Sequence, residues 1–198
     1  MNECTRFSAH SALLAALLLG GCAAQPSQDP PLKGATMGGA FTLTGEDGRP
    51  VSDSAFAGRY RIVYFGFTFC PDICPTDMAA LGAGLRRFET QDAERAARVQ
   101  PLFITVDPAR DTPQVLRRFT DAFHPRFLGL TGSEAQIAEV ARRYAIYFER
   151  GAPNEAGGYN VDHLRQAVLY GPDGAPVVIL PADQGPEAVA AELDRWVR

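Results

Sequence analysis

Tyr64-Phe65-Gly66-Phe67-Thr68-Phe69-Cys70-Pro71-Asp72-Ile73-Cys74-Pro75 runs from an apolar, aromatic-rich strand signal into two cysteines. Strand residues in front and a proline-started helix behind place both sulfurs at a helix N-terminus, where the dipole favours thiolates. Sulfurs so placed can grip a thiophilic metal or cycle as a disulfide. A structural disulfide is the plain alternative, but a bridge closing so short a loop constrains the unfolded chain little.

The chain has 4 cysteines, and the other two, Cys4 and Cys22, lie in its first segment. Residues 1–21 read as an export signal, with Arg6 as the positive charge and an apolar run from Ala12 to Leu19. That run is too short for a finished membrane span, which needs about 20 apolar residues. It ends in Leu19-Gly20-Gly21-Cys22, which resembles the bacterial lipobox, where the cysteine is lipidated and becomes the new N-terminus. An ordinary signal peptide or an uncleaved anchor is the rival reading. On the lipoprotein reading Cys22 carries the lipid, and Cys70 and Cys74 are the only free thiols of the mature chain. The domain is then lipid-anchored in a bacterial cell envelope, in the periplasm or otherwise outside the cytoplasmic membrane, where disulfides persist. Residues 22–36 are polar and proline-rich, a flexible tether. The span 37–198 is roughly 160 residues, one domain with one core. The net charge is −4 and the arginines are scattered without a basic block, so nothing points to nucleic acid.

Within that span strands and helices alternate. Phe41 to Thr44 and Val51 flank Glu46-Asp47-Gly48-Arg49, an N-terminal hairpin signal. Arg61 to Phe67 is a nearly continuous apolar run, as expected of a strand buried on both faces. Met78, Leu81, Leu85 and Phe88 then recur at helical spacing. Val99 to Val106 is a second buried strand, and Thr112-Pro113 opens another helix. Phe127 to Leu130 reads as a short strand, and Ser133 with Gln136 forms a capping-box pattern before Ile137, Val140 and Tyr144. Val168 to Tyr170 and Val177 to Leu180 bracket Gly171-Pro172-Asp173-Gly174 as a second hairpin, and a last helix follows Pro186. This is an α/β order of thioredoxin-like type: a central mixed sheet flanked by helices, with an inserted helix and an N-terminal hairpin. Two details depart from thioredoxin itself: three residues, rather than two, separate the cysteines, and no proline lies between Pro153 and Pro172.

Five stretches in order resemble the Sco/SenC family, thioredoxin-like copper-handling proteins that help assemble the copper centre of cytochrome c oxidase. They are Phe65 to Pro75, Thr105-Val106-Asp107-Pro108-Ala109-Arg110-Asp111-Thr112-Pro113, Gly129-Leu130-Thr131-Gly132, Val161-Asp162-His163 and Gly171-Pro172-Asp173-Gly174. The resemblance implies a copper ion, Cu(I) or Cu(II), held by Cys70, Cys74 and His163. It implies as partners cytochrome c oxidase subunit II or another copper-receiving protein, with a thioredoxin-like reductant where thiol chemistry is involved. The residue types fit: thiolates suit Cu(I) and imidazole suits either oxidation state. Judged alone, His163 before a strand is more often an ordinary surface or core histidine. Gly157-Gly158 and Tyr159-Asn160 suggest that a mobile loop carries it.

After Asp162-His163 the family pattern has a small hydroxyl residue and an apolar run, whereas this chain has Leu164-Arg165-Gln166. Arg165 either adds positive charge beside a cationic metal, or holds an anionic partner, or points to solvent. Asp107 is placed near the site as a supporting residue, at the end of the strand beside the cysteine strand. Asp111 reads as helix-start chemistry, Met78 as core and His124 as a capping or surface residue; His10 lies in the signal. Two functions from different classes survive: a copper metallochaperone without turnover, and a thiol-disulfide oxidoreductase that keeps the target's copper-ligand cysteines reduced. In the second, Cys70 and Cys74 would be the redox residues. A peroxidase would need a lone activated cysteine, which the second sulfur argues against. His163 separates the surviving pair, since dithiol exchange has no use for it.

Overall fold

The structure, a computed structural model, describes residues 29–153 and 158–198. Inside its main sheet runs β3 (Tyr60–Gly66), every residue of which is buried, in keeping with its nearly continuous apolar run. It lies between β4 (Val99–Thr105), parallel to it with Val63 opposite Leu102, and β8 (Ala167–Tyr170), antiparallel with Val63 opposite Val168. Outward from β4 come β5 (Leu128–Thr131), β1 (Thr42–Gly45) and β2 (Pro50–Ser52); outward from β8 comes β9 (Pro176–Leu180). The result is a mixed seven-stranded sheet in the order β2-β1-β5-β4-β3-β8-β9. Gly48 turns the first hairpin at φ 79°, and Gly174 the second at φ 85°, the left-handed region that favours glycine.

Successive strand residues face opposite sides of the sheet. Tyr64 and Phe103 face the layer of α1 (Ile73–Gln91), α3 (Pro113–Asp121) and α5 (Pro186–Trp196): Tyr64 bonds Asp77 of α1, and Phe103 meets Phe119 of α3 at 5.1 Å. Phe65 and Tyr170 face the other way and meet Tyr144, which ends α4 (Glu134–Arg143). The capping box expected at Ser133 and Gln136 forms in full. The short α2 (Ala93–Ala97), capped by Asp92, has no counterpart in the sequence reading.

Three expectations change. Part of the stretch 22–36 expected to be a flexible tether is folded onto the domain: residues 31–34 form a turn, Leu32 packs on the core, and its amide donates to the Val177 carbonyl at 3.1 Å. His124 is buried rather than at the surface; its Nε2 faces Glu89 at 3.2 Å and its Nδ1 accepts from the Arg126 amide. His163 lies on a strand rather than a loop, because β7 (Val161–His163) pairs antiparallel with β6 (Phe148–Arg150), Phe148 opposite His163. The signal at 1–21 and lipidation at Cys22 fall outside the described residues, as does Gly157. Among the described residues no helix is long and apolar enough to cross a membrane.

Candidate metal centre

β3 ends at Gly66, and the cysteine loop follows at the carboxyl end of the sheet, between strands reached by different connections. In open α/β sheets ligands collect at such a point. The Val106 amide donates to the Gly66 carbonyl at 2.8 Å and the Cys70 amide to the Phe67 carbonyl at 3.2 Å, which turns the chain towards α1. A methyl group on Gly66 would stand 3.0 Å from the Cys74 sulfur and 2.9 Å from the Tyr64 ring. A side chain there would crowd the sulfur.

The helix begins at Ile73, so Pro75 sits inside its first turn rather than opening it. Asp72 precedes the helix without a side-chain capping bond. The Cys70 sulfur takes that place, accepting the Cys74 amide at 3.4 Å. Both cysteines are free, Cys70 half-buried and Cys74 without exposed surface. From 89 residues away in the chain, His163 brings Nε2 to 3.3 Å from the Cys74 sulfur, its ring edge-on to Phe67. Cys74 and His163 are therefore joined directly, and Cys70 is joined to Cys74 through its amide. Among the described residues no three Cys, His, Asp or Glu side chains already stand as a closed ligand set.

The expectation that the helix dipole favours thiolates does not hold for Cys74. Burial outweighs it and pushes the Cys74 thiol up to about 12, with the neighbouring Cys70 adding to the rise. Burial also pulls the His163 imidazolium below its ordinary range, against a bond to its own backbone and the charge of Asp77. The metal-free pair is thus a neutral thiol against a neutral imidazole, whose ring nitrogen keeps a lone pair to offer.

Asp111 supports the loop, a role the sequence reading missed. Thr112 is the actual cap of α3, accepting from the Val115 amide. Asp111, fully buried, accepts from the Thr68 amide at 3.0 Å, the Thr68 hydroxyl at 2.6 Å and the Thr105 hydroxyl at 2.6 Å. Burial raises its pKa and these bonds oppose the rise. It fastens the cysteine loop to the end of β4. Asp107, also buried, pairs with Arg110 and accepts from the Tyr159 hydroxyl at 2.7 Å; these are the described partners of its carboxylate, rather than the three expected ligands. Arg110 lies over the rings of Tyr159 at 3.7 Å and Phe69 at 4.9 Å, so Asp107 reaches the site through that stack. Met78 is core, as expected. Arg165 neither stands free nor turns wholly to solvent: its side chain, still partly exposed, pairs with buried Asp77.

A thioredoxin-like domain with two free cysteines at a helix start and a histidine against one sulfur defines the class. A bacterial thioredoxin domain of a thiol-disulfide oxidoreductase from Bacteroides vulgatus shares this fold, with 16% identity, TM-score 0.57, and 81% of this chain and 94% of that chain covered. The family described as SCO1/SenC matches residues 29–198, and the chain belongs to that family. It is 44% identical over 151 residues to the bovine (Bos taurus) mitochondrial SCO2 homolog, covering 76% of this chain and 56% of the relative. The chain thus spans little more than half the length of that relative. It is 36% identical to Bradyrhizobium japonicum ScoI, whose solved structure has copper bound, with TM-score 0.72, covering 81% of this chain and 99% of that one. It is 25% identical to BsSco, described as a member of the Sco family of cytochrome c oxidase assembly proteins with a disulfide switch, with TM-score 0.61, covering 84% of this chain and 95% of that one.

Proposed function

We propose that this chain is a copper metallochaperone, which takes Cu(I) or Cu(II) on Cys70, Cys74 and His163 and passes it on by ligand exchange, without turnover. The receiver is the copper centre of cytochrome c oxidase, in subunit II, or another copper-receiving protein. The observation that carries this is the 3.3 Å approach of His163 Nε2 to the Cys74 sulfur. A sulfur and a nitrogen bound tetrahedrally to one first-row metal stand roughly 3.5 Å apart, so this pair is close to ligating distance before any metal arrives. Copper would supply the positive charge that ionises the buried thiol, since a coordinating thiol is deprotonated outright. Asp107 supports the site through Arg110 and Tyr159. The mature domain is held at a bacterial envelope membrane by lipid on Cys22, with residues 37–198 as the folded body and the segment from 29 partly docked on it.

A second reading has its own observation in favour. Cys70 is the more exposed sulfur and accepts a helix amide, so it suits attack on a partner disulfide, with Cys74 resolving the mixed species. The chain would then keep a target's copper-ligand cysteines reduced and would itself need a thioredoxin-like reductant. His163→Ala separates the two. A metallochaperone variant keeps dithiol exchange and fails to restore an oxidase-deficient strain at limiting copper and matched protein level. Normal oxidase activity with His163→Ala, and loss only with a cysteine variant, would overturn the first reading.

A further inference from the structure

β7 belongs to a two-stranded sheet outside the main one. The amide of Leu164 donates to the Tyr147 carbonyl at 2.9 Å, a bond within the same hairpin region that does not fix its distance from α1. The next residue does reach α1. Arg165 Nε donates to Asp77 Oδ2 at 2.7 Å and Nη2 donates to Oδ1 at 2.5 Å, a two-pronged pair on a carboxylate 1% exposed. The Tyr64 hydroxyl donates to the same Oδ2 at 2.9 Å. Asp77 stands one helical turn beyond Cys74, and Arg165 two residues beyond His163. These links close a ring: Cys74, a turn of α1, Asp77, Arg165, a short piece of chain, His163, and back across 3.3 Å to the Cys74 sulfur.

We infer that Asp77 and Arg165 are positioning residues, whose paired hydrogen bonds set where His163 stands over Cys74 and keep that strand closed on the buried sulfur. This rests on the reading of Cys74 and His163 as ligands of one metal. A planar guanidinium bonded to both carboxylate oxygens fixes direction as well as distance. Arg165, where the resemblance to the family implies an apolar run, thus supplies an ionic tie to α1.

The test uses the full chain as Arg165→Met, and as Asp77→Leu with Arg165→Met. The double variant leaves no lone buried carboxylate, which would by itself unsettle the fold. Two quantities are measured. One is the rate at which iodoacetamide alkylates Cys74 in metal-free protein carrying Cys70→Ser, read at the Cys74 peptide by mass spectrometry. The other is Cu(II) affinity with both cysteines present, read by competition with a chelator. Both variants should alkylate Cys74 at least about tenfold faster than the parent and bind Cu(II) about tenfold more weakly. Alkylation within about twofold of the parent in both variants would overturn the inference, as would a fast single variant that the double variant restores. If the parent chain binds no copper, the metal reading fails on that arm, and the alkylation arm still decides the clamp.

Discussion

Cys74 stands where two electrostatic effects oppose each other, a helix N-terminus that favours the thiolate and a buried site that forbids it. Burial wins, and the consequence is measurable without metal. The folded-state value of about 12 lies above the ordinary 9.0, so as pH rises the unfolded chain loses its proton first. The stabilising contribution is intact below 9.0 and falls away as pH climbs towards 12. Between about pH 8 and about pH 10.5, urea unfolding of the metal-free protein should show a loss of about 2 kcal/mol more than in Cys74→Ser. Parallel pH slopes for the two proteins would contradict the burial argument. The cysteine pair and His163 were legible in the sequence because each lies in a distinctive word. Asp111 was not: Thr112-Pro113 beside it is a helix start, and that local signal hid a carboxylate bonding Thr68, 43 residues away. Arg165 and Asp77 are 88 residues apart, and nothing local to either announces the other.

Helices α1 and α5 meet closely at Gly84. A methyl group there would lie 2.6 Å from Val189 Cγ1 and 3.0 Å from the Pro186 carbonyl oxygen. Alanine in a helix interior is ordinarily better than glycine by about 1 kcal/mol. Forcing volume into a filled contact costs about 1–3 kcal/mol, so Gly84→Ala should lower stability by about 1 kcal/mol net, read as a lower urea midpoint. A raised midpoint would mean that α5 does not press on α1 as described. The long elements were readable because burial leaves an unambiguous pattern: β3 is apolar nearly throughout, and α1 repeats its apolar residues at helical spacing. The sequence reading has no strand at β6, a three-residue strand with two exposed residues. Without that partner, β7 reads as loop, and the Gly157-Gly158 pair reinforced the impression.

At the scale of the whole chain, the sheet aims the cysteine loop from one end of β3, and the segment around Leu32 docks beside Val177 of β9. The order of the main sheet's long strands and of its long helices was legible; the short α2, β6 and β7 were not. The start of the folded part was not, because the prolines and polar residues around Leu32 resemble a linker while its side chain finds a place on the core. The lipobox-like Leu19-Gly20-Gly21-Cys22 carries the proposed anchor, which lipid on one cysteine would supply without a spanning helix. Mass spectrometry of the native N-terminus should find a chain beginning at lipidated Cys22; residues 1–21 still attached would refute the lipoprotein reading. The central claim is that Cys70, Cys74 and His163 hold one copper, and X-ray absorption of the copper-loaded domain reports those atoms directly. Sulfur and nitrogen scatterers should appear together around one copper, with the nitrogen signal weakened in His163→Ala and tight binding lost in Cys70→Ser or Cys74→Ser. Copper bound without any sulfur scatterer would contradict that claim.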